Sequence, residues 1–134
     1  MSMVPKITII KVRRGDGDNV NNELQWVGNS LGLFNLRDRD SSCFRIFISL
    51  VKTARRNEHL SSDLIADRLN LTRGTVVHHL NKLMESGIVI RERNIYHLRG
   101  DSVQDVIAHV ERTMNKALED LKQTAEEIDK SMRR

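Results

Sequence analysis

LTRGTVVHHLNKLMESGIV, residues 71 to 89, is the stretch that decides the fold of this 134-residue chain. Thr72 opens a segment in which apolar residues recur at three- and four-residue steps, the period of a helix with one buried face. Gly87 follows as a residue that readily takes the left-handed conformation found after many helices. The stretch therefore predicts a helix over Thr72–Ser86, with an expected buried stripe of Val76, Leu80, Leu83 and Met84.

Two helices are predicted ahead of this one. The first begins where Ser41 or Ser42 is available as the N-cap, and Ser61 caps the second. Asn70 and Leu71 form a tight break before the third helix. The inward residues are expected to be Phe44, Phe47, Ile48, Val51 and Ala54 in the first helix and Leu64, Ile65 and Leu69 in the second, with Arg45, Ser49, Lys52 and Arg56 on the opposite face of the first.

The period of the pattern changes after Gly87. Ile88–Arg91 and Ile95–Leu98 are two strand-like runs, and only three polar residues, numbers 92 to 94, separate them. This spacing predicts a compact β-hairpin. This order of elements predicts a mainly α fold: two helices, a tight turn, a third helix and a hairpin. Residues 41–100 are predicted to form a winged helix-turn-helix domain, with the short hairpin as its wing.

The third helix has the properties that a DNA-reading helix requires, because such a helix is held by one buried stripe and enters the major groove with the other. Arg73 could bond a guanine through O6 and N7, and Thr75 could offer its hydroxyl to a phosphate or a base edge. For His78 the alternative is that a small rotation of the helix turns it against the body. The predicted DNA-binding residues are Ser61, Ser62, Thr72, Arg73, Thr75, His78, His79 and Lys82, together with Arg91 and Arg93 beside the wing tip.

Leu71–Val89 resembles the recognition helix of the ArsR-type winged-helix repressors, and the resemblance covers roughly Ser41–Arg99. Those proteins carry a Thr-Val pair, then His-Leu, then a step from glycine to an aliphatic residue into the wing. The block Trp26–Phe47 also looks like archaeal regulators of this general type. The resemblance implies a dimeric regulator that binds an operator. The matching positions are Thr75, Val76, His79, Leu80, Gly87 and Ile88.

The flanking segments are both candidates for dimerisation. Residues 1–40 are predicted to be an N-terminal arm, with a short strand over Lys6–Arg14 and a helix over Glu23–Phe34. Residues 101–134 are predicted to hold one long helix from Ser102 to about Met132, which has neither proline nor glycine. Its apolar residues alternate steps of four and three, apart from a polar Thr124, so this seam predicts a partner helix or packing on its own subunit. This helix is the preferred dimer interface; its seam is Val103, Ile107, Val110, Met114, Ala117, Leu121 and Ile128.

Composition and motifs give no sign of an enzyme, a metal site or a cofactor. The formal net charge of +4 mildly favours a polyanionic partner. The only cysteine, Cys43, is expected to be a buried core thiol, and it lacks the second thiol of a cysteine-pair metal sensor. The five histidines do not have the spacing of metal ligands, and Gly15 and Gly17 lack the Lys-Ser/Thr of a phosphate-binding loop.

The predicted function is therefore a sequence-specific regulator that binds double-stranded DNA, as a homodimer and in the cytoplasm, with no membrane partner and no effector that the sequence identifies. The alternative is a winged helix that serves protein–protein interaction, because fold alone does not fix function. The two hypotheses differ in salt dependence, which is steep for contacts to phosphate and slight for an apolar docking surface.

Overall fold

The computed structural model describes residues 6–15, 19–34 and 41–133. These residues form a mainly helical structure with one small antiparallel sheet, as predicted. The order is α1 (Val20–Ser30), α2 (Ser42–Arg56), β1 (Leu60–Ser61), α3 (Ser62–Leu69), α4 (Arg73–Glu85), β2 (Val89–Glu92), β3 (Ile95–Leu98) and α5 (Val103–Met132).

Helix α2 lies at the centre of the core, where it packs against α1, α3, α4 and β3. Its buried side is rotated relative to the prediction: Ile46 and Leu50 are fully buried, whereas Phe44 and Ile48 are only half-buried. A helix surrounded on several sides buries more than one stripe, so its apolar period alone does not fix the inward direction. Arg45, which was expected to be outward, is also half-buried and donates a hydrogen bond to the Leu69 carbonyl at the end of α3.

Capping residues hold both helices of the helix-turn-helix pair: Ser61 is the N-cap that the sequence predicts, and Thr72, predicted as the first residue of its helix, is the N-cap of α4. Ser61 accepts a hydrogen bond from the Leu64 amide at 3.1 Å, and Thr72 accepts one from the Thr75 amide at 3.2 Å. Asn70 ends α3 in the left-handed conformation, with φ of 55°. Asparagine tolerates this region better than most residues, so the break between α3 and α4 is confirmed at the predicted place.

The sheet has three strands in the order β1-β3-β2, one more than the predicted hairpin. Arg91 pairs with Tyr96 in the hairpin, and Leu60 pairs with Tyr96 from the other edge. The third strand is only two residues long, which is too short to give a strand period in the sequence. It fixes the wing to the start of α3, directly beside the helix pair α3 and α4.

The N-terminal arm differs from its prediction. Residues 6–15 contain no strand and no helix, and the amides of Lys6 and Ile10 donate to the carbonyls of Glu85 and Ser30 instead of to a sheet. The β-branched residues of this segment favour a strand, but the segment pairs with neither edge strand of the sheet, β1 or β2. Helix α1 spans Val20–Ser30 rather than Glu23–Phe34, because the chain turns at Gly32 with φ of 68°.

Helix α5 begins after the Ser102 N-cap and continues to Met132, as predicted. Its first part packs on the domain: Val106 and Val110 are buried, and Val103 and Met114 pack against the core. Every residue from 115 to 133 is exposed. We call this segment the distal half of α5. In the described ranges, no helix is long and apolar enough to cross a membrane.

Candidate nucleic-acid interface

Helix α4 has one fully buried stripe and one open face. Val76, Leu80 and Leu83 are each 0% exposed, and they hold the helix against α2 and α3. The open face, which lies opposite this stripe, consists of Gly74, His78, Asn81 and Glu85. The helix is therefore held firmly by the domain while a polar face of at least three turns remains open to a large ligand.

The two adjacent histidines, both predicted to contact DNA and only His78 with an alternative inside the domain, lie in different environments. His78 is exposed on the open face, whereas His79 is half-buried at the side of α4. Their rings stand 5.4 Å apart at 63°. His79 was the stronger prediction for DNA contact, but successive helical residues point about 100° apart, so a small error in the rotation of the helix exchanges the two. Thr75 and Lys82 are half-buried on the same side as His79.

A cleft of about 220 Å³ lies where the start of α3, the start of α4 and the wing meet. Four predicted DNA-binding residues, each from a different element, come together here: Ser61, Ser62, Arg73 and Arg91. The wing strand thus continues the surface that α4 begins. The lining residues are Ser61, Ser62, Asp63, Arg73, Val77, Arg91, Asn94 and Tyr96.

Arg73, the first residue of α4, projects beside this cleft. Its Nε lies 3.4 Å from Oδ1 of Asp63, and both side chains are nearly three-quarters exposed. An exposed ion pair of this kind contributes little to stability. Most of the guanidinium surface remains open to a ligand that reaches the cleft.

Arg91 and Arg93 form the basic edge of the wing. Arg91 Nε donates to the Arg93 carbonyl at 2.7 Å, and its guanidinium carbon lies 5.7 Å from the centre of the Tyr96 ring. Both arginines are exposed, and Arg93 takes the turn with φ of 58°. The hydrogen bond and the ring contact restrain Arg91 against the sheet, so its charge is held near the cleft.

Three of the hydroxyl groups predicted to contact DNA, those of Ser61, Thr72 and Thr75, already make hydrogen bonds within the chain. The Ser61 oxygen accepts from Leu64 and the Thr72 oxygen accepts from Thr75, each as an N-cap. The Thr72 hydroxyl also donates to Thr75 Oγ1 at 2.9 Å, and Ser62 is only 9% exposed. These residues place the helix starts, so their contribution to a DNA surface would come mainly through helix position.

Seven residues of this surface were not among the predicted site residues. In the cleft they are Asp63, Val77, Asn94 and Tyr96, and on the open face of α4 they are Gly74, Asn81 and Glu85. A carboxylate is not an expected ligand for DNA, and Tyr96 is 5% exposed and belongs to the core by its alternation in β3. Gly74 did give a signal, since glycine in the first turn of a helix lowers helix stability without an evident reason.

Other chemically interesting residues lie away from this surface or are engaged elsewhere. Cys43 is buried as expected, and its thiol donates to the Leu33 carbonyl at 3.4 Å. Trp26 is half-buried, and its indole N–H donates to the Val12 carbonyl at 3.0 Å. The described part of the chain holds no group of three or more His, Cys, Asp or Glu residues arranged to bind a metal ion.

Residues 48–90 match the family of winged helix-turn-helix DNA-binding domains. The match begins within α2, covers β1, α3 and α4, and ends in β2. The chain therefore contains a winged helix-turn-helix DNA-binding domain. Neither the curated proteins nor the solved structures that were searched contain a match to the chain.

Proposed function

We propose that this protein is a sequence-specific transcriptional regulator that binds double-stranded DNA as a homodimer and represses by covering a promoter. The observation that carries the proposal is the junction of the open face of α4 with a cleft that brings together Arg73 and Arg91. Major-groove readers present side chains from the start of the second helix of the pair, and a wing adds contacts to the backbone. The order of elements here supplies both parts on one surface.

The individual roles follow from exposure and chemistry. Arg73 contacts a guanine, His78 and Asn81 face the base edges one and two turns later, and Arg91 and Arg93 contact phosphates. Thr75, His79 and Lys82 lie at the side of the same helix and meet the DNA strand that borders the groove. Ser61, Ser62 and Thr72 place the starts of α3 and α4 against the duplex.

Gly74 supports the same surface. A Cβ added at Gly74 would meet no atom of the described chain within 4 Å, so the domain itself leaves room for a larger residue. Glycine in a helix costs about 0.5–1 kcal/mol relative to alanine. A residue without a side chain at this point allows the sugar-phosphate backbone or a base to approach α4 closely.

The dimer is assigned to the distal half of α5. Its exposed apolar residues form a stripe at helical spacing, and nothing in the described part of the chain covers them: Leu118, Leu121, Ile128 and Met132 are 46%, 64%, 52% and 80% exposed. The 30 residues of α5 extend over about 45 Å, much of it beyond the domain. A second copy of the same helix offers an equal apolar stripe, and the C2 arrangement that results presents two α4 helices to one duplex.

A two-fold dimer requires a near-palindromic site, with half-sites about 34 Å apart when the α4 helices enter successive major grooves. In this proposal residues 1–40 form an arm on the DNA-binding unit 41–100, and residues 101–134 form the dimerisation unit. The finer ArsR-like and archaeal relationship is part of the proposal and is supported by the resemblance of Leu71–Val89 and Trp26–Phe47.

The test is a selection of random duplex DNA by the purified protein, followed by titration of the selected duplex at several salt concentrations. We expect a near-palindromic winner and a slope of about −0.9 in log K against log salt for each phosphate contact. Arg73→Ala and His78→Ala should weaken binding, each by about tenfold or more. Arg55→Ala is the matched control, because Arg55 is an exposed arginine of the same domain that does not line the cleft.

Two outcomes would contradict the proposal. One is an absence of enriched duplex together with no retention of DNA at low salt, which would favour the alternative of a protein-docking winged helix. The other is an equal loss of affinity in Arg73→Ala and Arg55→Ala, because it would mean that DNA binds through the overall surface charge and not through α4.

A further inference from the structure

We propose that Asp63 is a positioning residue that sets the base specificity of Arg73. The inference rests on the proposed function, because it concerns how the same surface distinguishes one duplex from another. Asp63 is the second residue of α3 and Arg73 is the first residue of α4, so the turn of the helix-turn-helix pair brings the two side chains together.

The geometry fixes which part of Arg73 is held. The contact of 3.4 Å joins Asp63 Oδ1 to Nε of the guanidinium. A guanidinium held at Nε retains its two Nη groups as a fork of parallel donors. This fork matches the O6 and N7 acceptors of guanine, the most common specific contact in the major groove.

The position of Asp63 argues against a role in general affinity. Its carboxylate is about three-quarters exposed and lines the cleft between Arg73 and the wing, where a DNA phosphate would be repelled by it. A negative charge at this point lowers the affinity for any duplex, so attraction to DNA does not explain it. A carboxylate that holds Arg73 away from the phosphates and toward a base lowers affinity for every duplex but favours the duplex with guanine in the right place.

Another explanation of Asp63 is purely structural. A carboxylate in the first turn of a helix interacts favourably with the helix dipole, and Asp63 occupies that position in α3. This role predicts a change in melting temperature with no change in sequence preference. The two roles are therefore separable by measuring stability and base discrimination on the same variants.

The experiment compares Asp63→Asn with Asp67→Asn. Asp67 lies one turn further along α3, is exposed, and loses the same charge in the variant, so it is the matched control. Dissociation constants are measured for the selected duplex, for the same duplex with each base pair replaced in turn, and for an unrelated duplex.

For Asp63→Asn we expect binding of the unrelated duplex to tighten by about twofold at low salt, because one negative charge is removed. Discrimination should fall by about tenfold, and only at the base pair where Arg73→Lys also loses discrimination. Asp67→Asn should change all affinities by one common factor and leave discrimination intact.

Equal discrimination by the wild-type protein and Asp63→Asn would overturn this inference while the proposed function stands. Loss of discrimination spread over many base pairs, together with a lower melting temperature, would also overturn it in favour of the structural role. A wild-type protein that selects no duplex would overturn the proposed function and this inference together.

Discussion

Helix α4 and the distal half of α5 are both amphipathic, but the apolar stripe of α4 is buried and that of the distal half of α5 is exposed. In α4, Val76, Leu80 and Leu83 are completely buried within the chain. In the distal half of α5, Leu121 and Ile128 are more than half exposed, and all 19 residues of the segment are open to solvent.

The difference separates the two kinds of surface that this molecule presents. Because the apolar stripe of α4 is satisfied by its own domain, the polar face of α4 is the part left for a ligand. The distal half of α5 differs in that its polar face is solvated and no other residue that the structure describes covers its apolar stripe. Helix α4 therefore leaves a polar face open, whereas the distal half of α5 leaves an apolar stripe open, the part of a helix that the proposed dimer would cover.

The largest expected effect tests the buried stripe of α4. Leu80→Ala should lower the free energy of unfolding by about 3 kcal/mol, because it leaves a cavity in a fully packed core. Leu121→Ala is the matched control: in dilute protein it should change the free energy of unfolding by less than about 0.5 kcal/mol, as expected of an exposed position. Urea denaturation at two protein concentrations measures both. Equal losses in the two variants would mean that the distal half of α5 packs on its own domain.

The next prediction concerns two substitutions that should dissociate the proposed dimer. Leu121→Glu combined with Ile128→Glu places two charges on the apolar stripe, so the protein should sediment as a monomer. Its affinity for the near-palindromic duplex should fall by about 100-fold, because the second half-site is no longer bound by a tethered subunit. Affinity for a single half-site should be unchanged.

The control for that variant is Asn115→Glu combined with Gln123→Glu, which adds the same charge at exposed positions off the stripe. This protein should remain a dimer. If instead the Leu121 and Ile128 variant stays dimeric, the interface lies elsewhere, and the exposed Ile9 and Ile10 of the N-terminal arm become the leading candidates.

A smaller effect with opposite signs on stability and binding is expected at Gly74. Gly74→Ala should raise the free energy of unfolding by about 0.5–1 kcal/mol, since the added Cβ meets nothing within the described chain. The same variant should bind the selected duplex more weakly, because the methyl group occupies the space into which DNA approaches.

Gly28→Ala in α1 is the matched glycine substitution with the opposite expectation. A Cβ there would collide with the Phe34 ring, so this variant should be less stable. Thermal melting and DNA titration of both variants make the comparison. A Gly74→Ala protein that is more stable and binds DNA as tightly as the wild type would remove Gly74 from the interface.

The smallest expected effect concerns His109, in the part of α5 that packs on the domain. Burial, followed by the nearby charges of Arg99 and Arg112, lowers the pKa of His109 below its ordinary value. The unfolded chain therefore takes up this proton at a higher pH than the folded chain does. The contribution of His109 to stability is present above the unfolded pKa and is lost as the pH falls through the folded pKa.

His109→Gln should accordingly flatten the loss of stability between about pH 7 and pH 5, as measured by denaturation at a series of pH values. His59→Gln, at an exposed position, is the control. A pH profile identical to that of the wild type would show that His109 does not contribute to the pH dependence.

The sequence by itself determined the elements around the helix-turn-helix pair. Thr72, Asn70 and Gly87 mark the ends of helices through local backbone and capping preferences, which act over three or four residues and do not depend on the rest of the fold. The buried stripe of α4 and the extent of α5 were also predictable, because each has one clear apolar period. These local signals are enough to predict the fold and to identify α4 as the helix that would face DNA.

Only the tertiary structure decided how these elements are rotated and joined. The exchange of His78 and His79, the inward side of α2 and the third strand β1 all depend on neighbours that are distant in sequence. Segment 6–15 is rich in β-branched residues but pairs with no strand of the sheet, so propensity could not decide its state. The contact between Asp63 and Arg73 arises in the same way: the turn of α3 against α4 brings together two residues ten positions apart, and packing of the whole domain sets that angle.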